Sequence, residues 1–311
     1  GDQTDFSITL SPGLALEAVS VIGSRGMPRS DLDSPVPIDA IQGSELLKTG
    51  QPDIGQAIHF TVPSFSAQKF GINDLAPLIN PAQLRGLGSD QTLLLVNGKR
   101  RHKVAFFNGN DGVGKGQLGN DITSIPSAAV ERVEVLRDGA AAQYGSDAIA
   151  GVVNLQLKRN RSGGSFQAYV GSTATKPKYD DVTNAGNEGD FIYGDDMITD
   201  GNTYSGSLNF GLPWGDDGFV STTLTYFDAD ATDRSGTYRH SSGWYVEEQY
   251  APLGLTDEQL QAQNGIDPDG AILGTAENSN GGIFINAGKP LNEMWEFYGM
   301  AGFTRKNIVG G

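Results

Sequence analysis

The chain of 311 residues contains no cysteine, so no disulfide, zinc–thiolate centre or cysteine nucleophile forms in it. Histidine is almost as scarce. His59, His102 and His240 are the three present, and none stands at metal-ligand spacing from another. Basic residues number 22 against 37 acidic ones, a formal net charge of −15, which excludes nucleic-acid binding through a basic surface. Long apolar runs are missing: none approaches the roughly 18 residues of a spanning helix, and mean hydropathy is −0.30. The N-terminal GDQTDFSITL lacks the basic and apolar regions of a secretory signal. Gly112–Gly116 matches a phosphate-binding loop only in glycine content and follows no apolar strand. Glu188, Asp190, Asp195 and Asp196 do not have EF-hand spacing and read as an acidic loop. With no convergent catalytic set, the sequence predicts neither an enzyme nor a cofactor or metal site.

What the chain does have is glycine, 43 residues of it, with frequent Asn, Ser, Thr and Asp. That composition favours strands, turns and polar loops over helix bundles. Residues 1–30 are polar, and Ser34–Pro37 reads as extended. Ser44 is a candidate cap for a helix over Glu45–Lys48 ending at Gly50. Asp53 is a cap for a second over Ile54–Phe60, stopped by Pro63. Gln91–Val96 reads as a strand closed by the Asn97-Gly98 hairpin turn. The basic run Lys99–Lys103 follows, either a solvated tip or the lead into a loop; Phe106–Asp121, rich in Gly and Asn, is that loop. Val130–Leu136 reads as a strand broken at Asp138-Gly139. Ala150–Lys158 reads as a half-buried strand, Val153, Leu155 and Leu157 alternating with Val152, Asn154 and Gln156.

After Arg159 the pattern becomes a strict alternation. Phe166, Ala168 and Val170 mark one strand, Tyr204–Leu212 a second, Val220–Tyr226 a third and Trp295–Thr304 a fourth. Each has one apolar and one mostly polar face, as in a soluble sandwich or a transmembrane barrel. The short connection Pro213–Asp217 contrasts with the long ones, Ser172–Asn202 and Asp228–Glu293. Trp214 and Trp295 are candidates for interfacial girdles, and Asn307–Gly311 reads as the start of a turn.

The stretch Ile125–Arg159, IPSAAVERVEVLRDGAAAQYGSDAIAGVVNLQLKR, closely resembles the end of the plug domain of TonB-dependent outer-membrane receptors. Three more stretches match that family in order: Leu16–Arg25 resembles the energy-coupling box and plug start, Gly55–Phe65 the first plug helix and its loop, and Leu84–His102 the LRG turn and VNG hairpin. The resemblance implies a flexible segment at 1–30, an α+β plug domain at 31–160, and antiparallel transmembrane β-barrel strands at 161–311. About four strands fall here, out of a barrel of about 22. Four strands cannot close in lipid, so the rest come from a continuation or a second chain.

The same resemblance implies a mature chain in the outer membrane of a Gram-negative cell, its N-terminus in the periplasm. It implies as partners the TonB C-terminal domain, outer-membrane lipid and a small-molecule or oligomeric ligand. Glu17, Ala18, Val19, Ser20 and Val21 form the candidate TonB-binding segment, by strand addition; the other reading is the plug's own first strand. Candidate ligand contacts are Gln68, Phe70, His102, Asn108 and Asn110 in plug loops and Trp244 and Tyr245 in an outer loop. Arg85, Glu131, Arg132 and Arg137 are candidates for an ionic lock between plug and barrel, and Glu134 stands among them. The implied activity is TonB-dependent import of an iron–siderophore or oligosaccharide. The alternative is a receptor acting mainly in sensing and signalling.

Overall fold

The computed structural model describes residues 38–67, 79–101, 103–104, 116–137, 141–176, 191–192, 197–234, 237–238, 274–292 and 294–309. Their elements run β1 (Ile38–Gln42), α1 (Gly43–Lys48), α2 (Ile54–Thr61), β2 (Phe65–Ala67), β3 (Ala82–Leu84), β4 (Thr92–Val96), β5 (Lys99–Arg100), β6 (Val130–Leu136), α3 (Ala141–Tyr144) and β7 (Gly151–Leu157). Then follow β8 (Gly164–Thr175), β9 (Phe191–Ile192), β10 (Ile198–Trp214), β11 (Gly218–Ala229), β12 (Thr237–Tyr238), β13 (Glu277–Pro290) and β14 (Glu296–Val309).

The first unit is a sheet ordered β1-β6-β7-β4-β5, with β7 parallel to β4 and the other pairs antiparallel. β7 is its middle strand, and this corrects the expectation of half-burial. Val153, Leu155 and Leu157 join Val133, Val135, Leu94 and the helix residues Leu46, Ile54 and Ile58 in one core. Val152, on the opposite face, joins Leu93, Leu95, Leu136 and Ala148 in a second. Alternation therefore marks two different cores rather than core and solvent.

The helices follow from local chemistry. The Asp53 carboxylate accepts from the N–H groups of Gly55 (2.7 Å) and Gln56 (3.1 Å), the cap expected for α2. α1 differs from expectation. It starts at Gly43, after Gln42, which makes no side-chain cap bond, so Ser44 lies inside it. A Cβ at residue 43 would fall 2.4 Å from the Val130 carbonyl, so glycine lets the helix start against the neighbouring strand. Asn97 and Gly98 both have positive φ, 49° and 75°, as a tight hairpin turn requires.

The second unit is an all-antiparallel sheet ordered β14-β13-β11-β10-β8. It has five strands, not four: β13 lies inside the expected long connection Asp228–Glu293, and the connection left is 230–276. The last strand runs on to Val309, so Asn307–Val309 is strand and not turn. Strand lengths of 12 to 17 residues exceed the 9–11 needed to cross a bilayer. Phe166, Leu208, Leu224, Ile283 and Phe303 are successive cross-strand partners, and all five are exposed. One residue along, the opposite face carries Gln167, Ser207, Thr225, Gly282 and Thr304 in a matching row. An apolar outer face and a polar inner face belong to a wall set in lipid.

Arginine at Leu224 should therefore cost about 2–4 kcal/mol of stability in lipid vesicles, as at the midplane of other barrels. The same change at Thr225, on the inner face, should alter stability far less. Urea unfolding of the two variants in the full-length protein checks this.

Candidate functional site: the joint between the two sheets and the cleft beside it

The first unit packs against the inner face of the wall, and the hairpin tip at Asn97 sits at the joint. Its Nδ2 donates to Asn286 Oδ1 (3.2 Å) and to the Tyr298 hydroxyl. Its Oδ1 accepts the Leu157 N–H (2.7 Å). Asn286 reaches back, donating to the carbonyls of Lys158 (3.0 Å) and Leu157 (3.5 Å). Beside these amides Phe284 points inward from the wall and joins the core of the first unit. A Cβ at Gly302 would lie 2.6 Å from the Phe284 ring, so this glycine makes the space the ring occupies.

A polar chain leads from this tip into the sheet. Gly98 N–H donates to Asn154 Oδ1 (2.9 Å), and Asn154 Nδ2 donates to Glu134 Oε2 (2.9 Å). Glu134 is fully buried and takes a charge-assisted bond from Arg132 Nε (2.7 Å), with Gln156 Nε2 at 3.5 Å. A buried carboxylate persists only when paired and hydrogen-bonded in this way. Arg137 pairs with Asp39 across the β1–β6 edge, and Arg85 donates to the Arg137 carbonyl (2.8 Å). Glu131 lies near Lys158, whose ammonium is pushed below its ordinary pKa by burial and pulled back up by that carboxylate. The structure thus gathers the candidate lock residues on and beside β6, and these contacts of Arg85, Arg132 and Arg137 lie within the first unit.

Beyond the joint, at the wall end with the long connections, a cavity of about 750 Å³ opens between the two units. Asp53, Asn80, Thr123 and Ser127 line it on one side, and Tyr169, Thr203, Thr225, Asn280 and Lys306 on the other. Thr304 Oγ1 donates to the Ser124 carbonyl (3.3 Å). Lys306 Nζ donates to Thr123 Oγ1 (3.1 Å) and lies 3.9 Å from Asp121 Oδ2. Asp121 in turn accepts from Thr123 N (3.1 Å) and Asn80 N (3.3 Å). Burial pushes the Arg101 guanidinium below its ordinary pKa, with Asp121 opposing. At the rim Arg234 grips Asp200 with two bonds, 2.6 and 2.8 Å, and β9 pairs with β12, tying the two long connections together.

Glu17–Val21, Gln68, Phe70, His102, Asn108, Asn110, Trp244 and Tyr245 lie outside the described residues, as do Glu188, Asp190, Asp195, Asp196 and His240. The ends of both plug loops are described. Ala67 pairs with Ala82, Ile79 and Asn80 line the cavity, and Val104 N–H donates to the Gly119 carbonyl (3.0 Å). His59 is exposed on α2, its Nδ1 2.9 Å from the Phe65 carbonyl, to which it donates. Asn97, Asn286, Tyr298, Asp121 and Lys306 were not singled out as site residues. The only sequence signal for Asn97 was a turn, and partners on another sheet leave none.

An α+β domain seated on the polar face of an amphipathic antiparallel wall defines a plugged transmembrane barrel. Residues 30–152 match the family model "TonB-dependent Receptor Plug Domain". Those residues thus carry a plug domain of the kind found in TonB-dependent receptors, and plug and wall together share the fold of solved siderophore receptors. A probable TonB-dependent siderophore receptor, PirA, of Acinetobacter baumannii is 39% identical over 92 residues, 28% of this chain and 12% of that protein. The solved PirA of that organism aligns over 88% of this chain and 32% of its own, with TM-score 0.54 and 17% identity. A mutant of the Pseudomonas aeruginosa ferric enterobactin receptor PfeA, in complex with enterobactin, covers 89% and 34%, with TM-score 0.55 and 19% identity. The RagAB peptide importer covers 94% and 32%, with TM-score 0.54 and 13% identity. This chain thus spans about a third of the length of the solved structures it matches.

Replacing Asn97 should loosen the joint. Asn97→Gly keeps the left-handed backbone but strands Leu157 N–H and Asn286, a cost of about 1–3 kcal/mol. Asn97→Ala adds about 1 kcal/mol of backbone strain. Amide hydrogen exchange at Leu157 in the full-length protein should rise in both; wild-type protection in the glycine variant would show the amide contacts to be idle.

Proposed function

We propose that the full-length protein imports a ligand across the outer membrane, the plug closing the barrel until TonB draws on the N-terminal segment. The observation that carries this reading is the cavity of about 750 Å³ between plug and wall, at the end where the long connections gather. Barrels of this kind keep short turns on the periplasmic side and long loops outside. On that rule the cavity opens outward, and the joint at Asn97 lies toward the periplasm.

Among ligand classes, an iron–siderophore is favoured over an oligosaccharide. Of the relatives named for their ligands, PirA is a siderophore receptor and PfeA a ferric enterobactin receptor, and PirA matches at 39% over 92 residues. The peptide importer with a similar fold is a reminder that fold alone does not choose the ligand. Gln68, Phe70, His102, Asn108 and Asn110 are the plug-loop residues proposed to meet the ligand, with Trp244 and Tyr245 from the long connection. Arg85, Glu131, Arg132 and Arg137 are proposed to meet charges on further wall strands. Five strands leave two open edges, and further strands must cover them for the wall to survive in lipid. The second reading, a receptor acting mainly in signalling, shares the plug and the binding step and differs in whether ligand crosses.

Proline at Val19 removes a ladder donor from Glu17–Val21, the proposed TonB contact. The expected outcome is loss of ligand uptake by cells, with equilibrium binding to the purified receptor within about twofold of wild type. Undiminished uptake would move the coupling segment elsewhere. Alanine at Gln68, His102, Asn108 or Asn110 should each weaken ferric-siderophore binding about fivefold, the worth of one lost hydrogen bond. Unchanged affinity in all four would remove these loops from the ligand site.

A further inference from the structure

At the short-turn end, the outer face of the wall brings an aromatic pair and a cation together. Trp214 and Phe297 meet edge to face, centroids 5.3 Å apart, and Lys289 Nζ lies 5.8 Å from the Trp214 ring centre. Lys289 pairs with Phe297 across β13–β14, and Trp214 pairs with Gly218 across β10–β11. A Cβ at Gly218 would lie 2.5 Å from the Trp214 carbonyl and 3.0 Å from Lys289 Cβ, so only glycine lets the group assemble.

The adjoining turn is unusual for one facing water. Asn292 Oδ1 accepts the N–H groups of Met294 and Trp295, both at 2.9 Å, which fixes its shape. Leu291, Met294 and Trp295 are exposed there, Met294 at 86%. Contiguous exposed apolar side chains of this size mark an interaction surface. An aromatic group with a lysine beside it, at the edge of an apolar band, has the chemistry of a membrane–water interface. Among the described residues, Lys289 contacts the Trp214 ring and no carboxylate. The anion found at that depth, just beyond the apolar rows, is a lipid phosphate.

We propose that Lys289, framed by Trp214 and Phe297, binds the phosphate of a phospholipid headgroup in the periplasmic leaflet. The turn beside it sets Leu291, Met294 and Trp295 against the same lipid. The proposal rests on the wall's outer face meeting lipid.

The test uses the purified full-length receptor in maltoside detergent, titrated with phosphatidylglycerol and read by native mass spectrometry. Wild type should hold one more lipid than Lys289→Gln, whose apparent affinity at that site falls about fivefold, the worth of one basic residue at an anionic surface. Lys176→Gln, at the far end of the wall, should match wild type. Diacylglycerol with the same chains, and inorganic phosphate at millimolar concentration, should not displace the bound lipid. Equal lipid counts and affinities for wild type and Lys289→Gln would overturn the proposal. So would displacement by diacylglycerol or by phosphate alone, or a photo-crosslinker at Met294 that captures only protein in intact cells. Heat-modifiable electrophoretic migration shows whether the variant's barrel is folded. A receptor that stays monodisperse without detergent would refute the lipid-facing wall itself, a separate failure.

Discussion

Backbone polar groups in hydrocarbon have no water to bind, and each one left unpaired costs several kcal/mol. That constraint sets the wall. Its strands pair in long antiparallel registers, and the β11–β13 and β13–β14 ladders run without a shift. Among the described residues the wall's register shifts between Asp200 and Thr203, near the long-connection end of β10. With pairing settled, the period of two assigns each residue to lipid or to the interior. Phe166, Leu208, Leu224, Ile283 and Phe303 go out; Gln167, Ser207, Thr225 and Thr304 go in.

The polar interior then needs partners, and the plug supplies them. The joint relies mainly on neutral amides and hydroxyls. Asn97, Asn286 and Tyr298 hold one point, Thr304 and Ser124 another, and Lys306 with Asp121 adds a longer ionic contact. Neutral groups lose less on leaving water than ions do, and they exchange readily for water when parted. The fully buried charge, Glu134, stays inside the plug, held by Arg132, Asn154 and Gln156. Through Asn154 and Gly98 it is one step from the hairpin tip that meets the wall. Among the described contacts, the plug keeps its buried ionic pairing to itself and meets the wall mainly through neutral groups.

The elements whose order depends on local chemistry were legible in the sequence. Asp53 as a cap, the Asn97-Gly98 turn, and the spans of β6 and β4 read directly. Where tertiary contact overrides local pattern, the reading failed. Phe284 points inward to complete the plug core, which breaks the alternation around Ile283 and Ile285 and hid β13 in a supposed loop. Val152 and Val153 are both buried because β7 lies between two cores, which no single-strand pattern reveals. Gly43 starts α1 because Val130 is close in space, not in sequence. The joint residues were invisible for the same reason: Asn97 and Tyr298 are 201 positions apart. The ligand and TonB candidates came from family resemblance alone, and no local pattern ties them together.

The central claim is that adjacent residues of each wall strand face opposite media. These 311 residues hold no cysteine, so with any cysteine elsewhere in the full-length protein replaced by serine the claim is directly testable. Single cysteines at Thr223, Leu224, Thr225 and Tyr226 of the full-length protein in lipid bilayers can each carry a spin label. The label's accessibility to apolar oxygen and to a polar nickel chelate then reports its surroundings. The account predicts high oxygen accessibility at residues 224 and 226 and low values at 223 and 225. A profile without a two-residue period, or with its phase reversed, would contradict it.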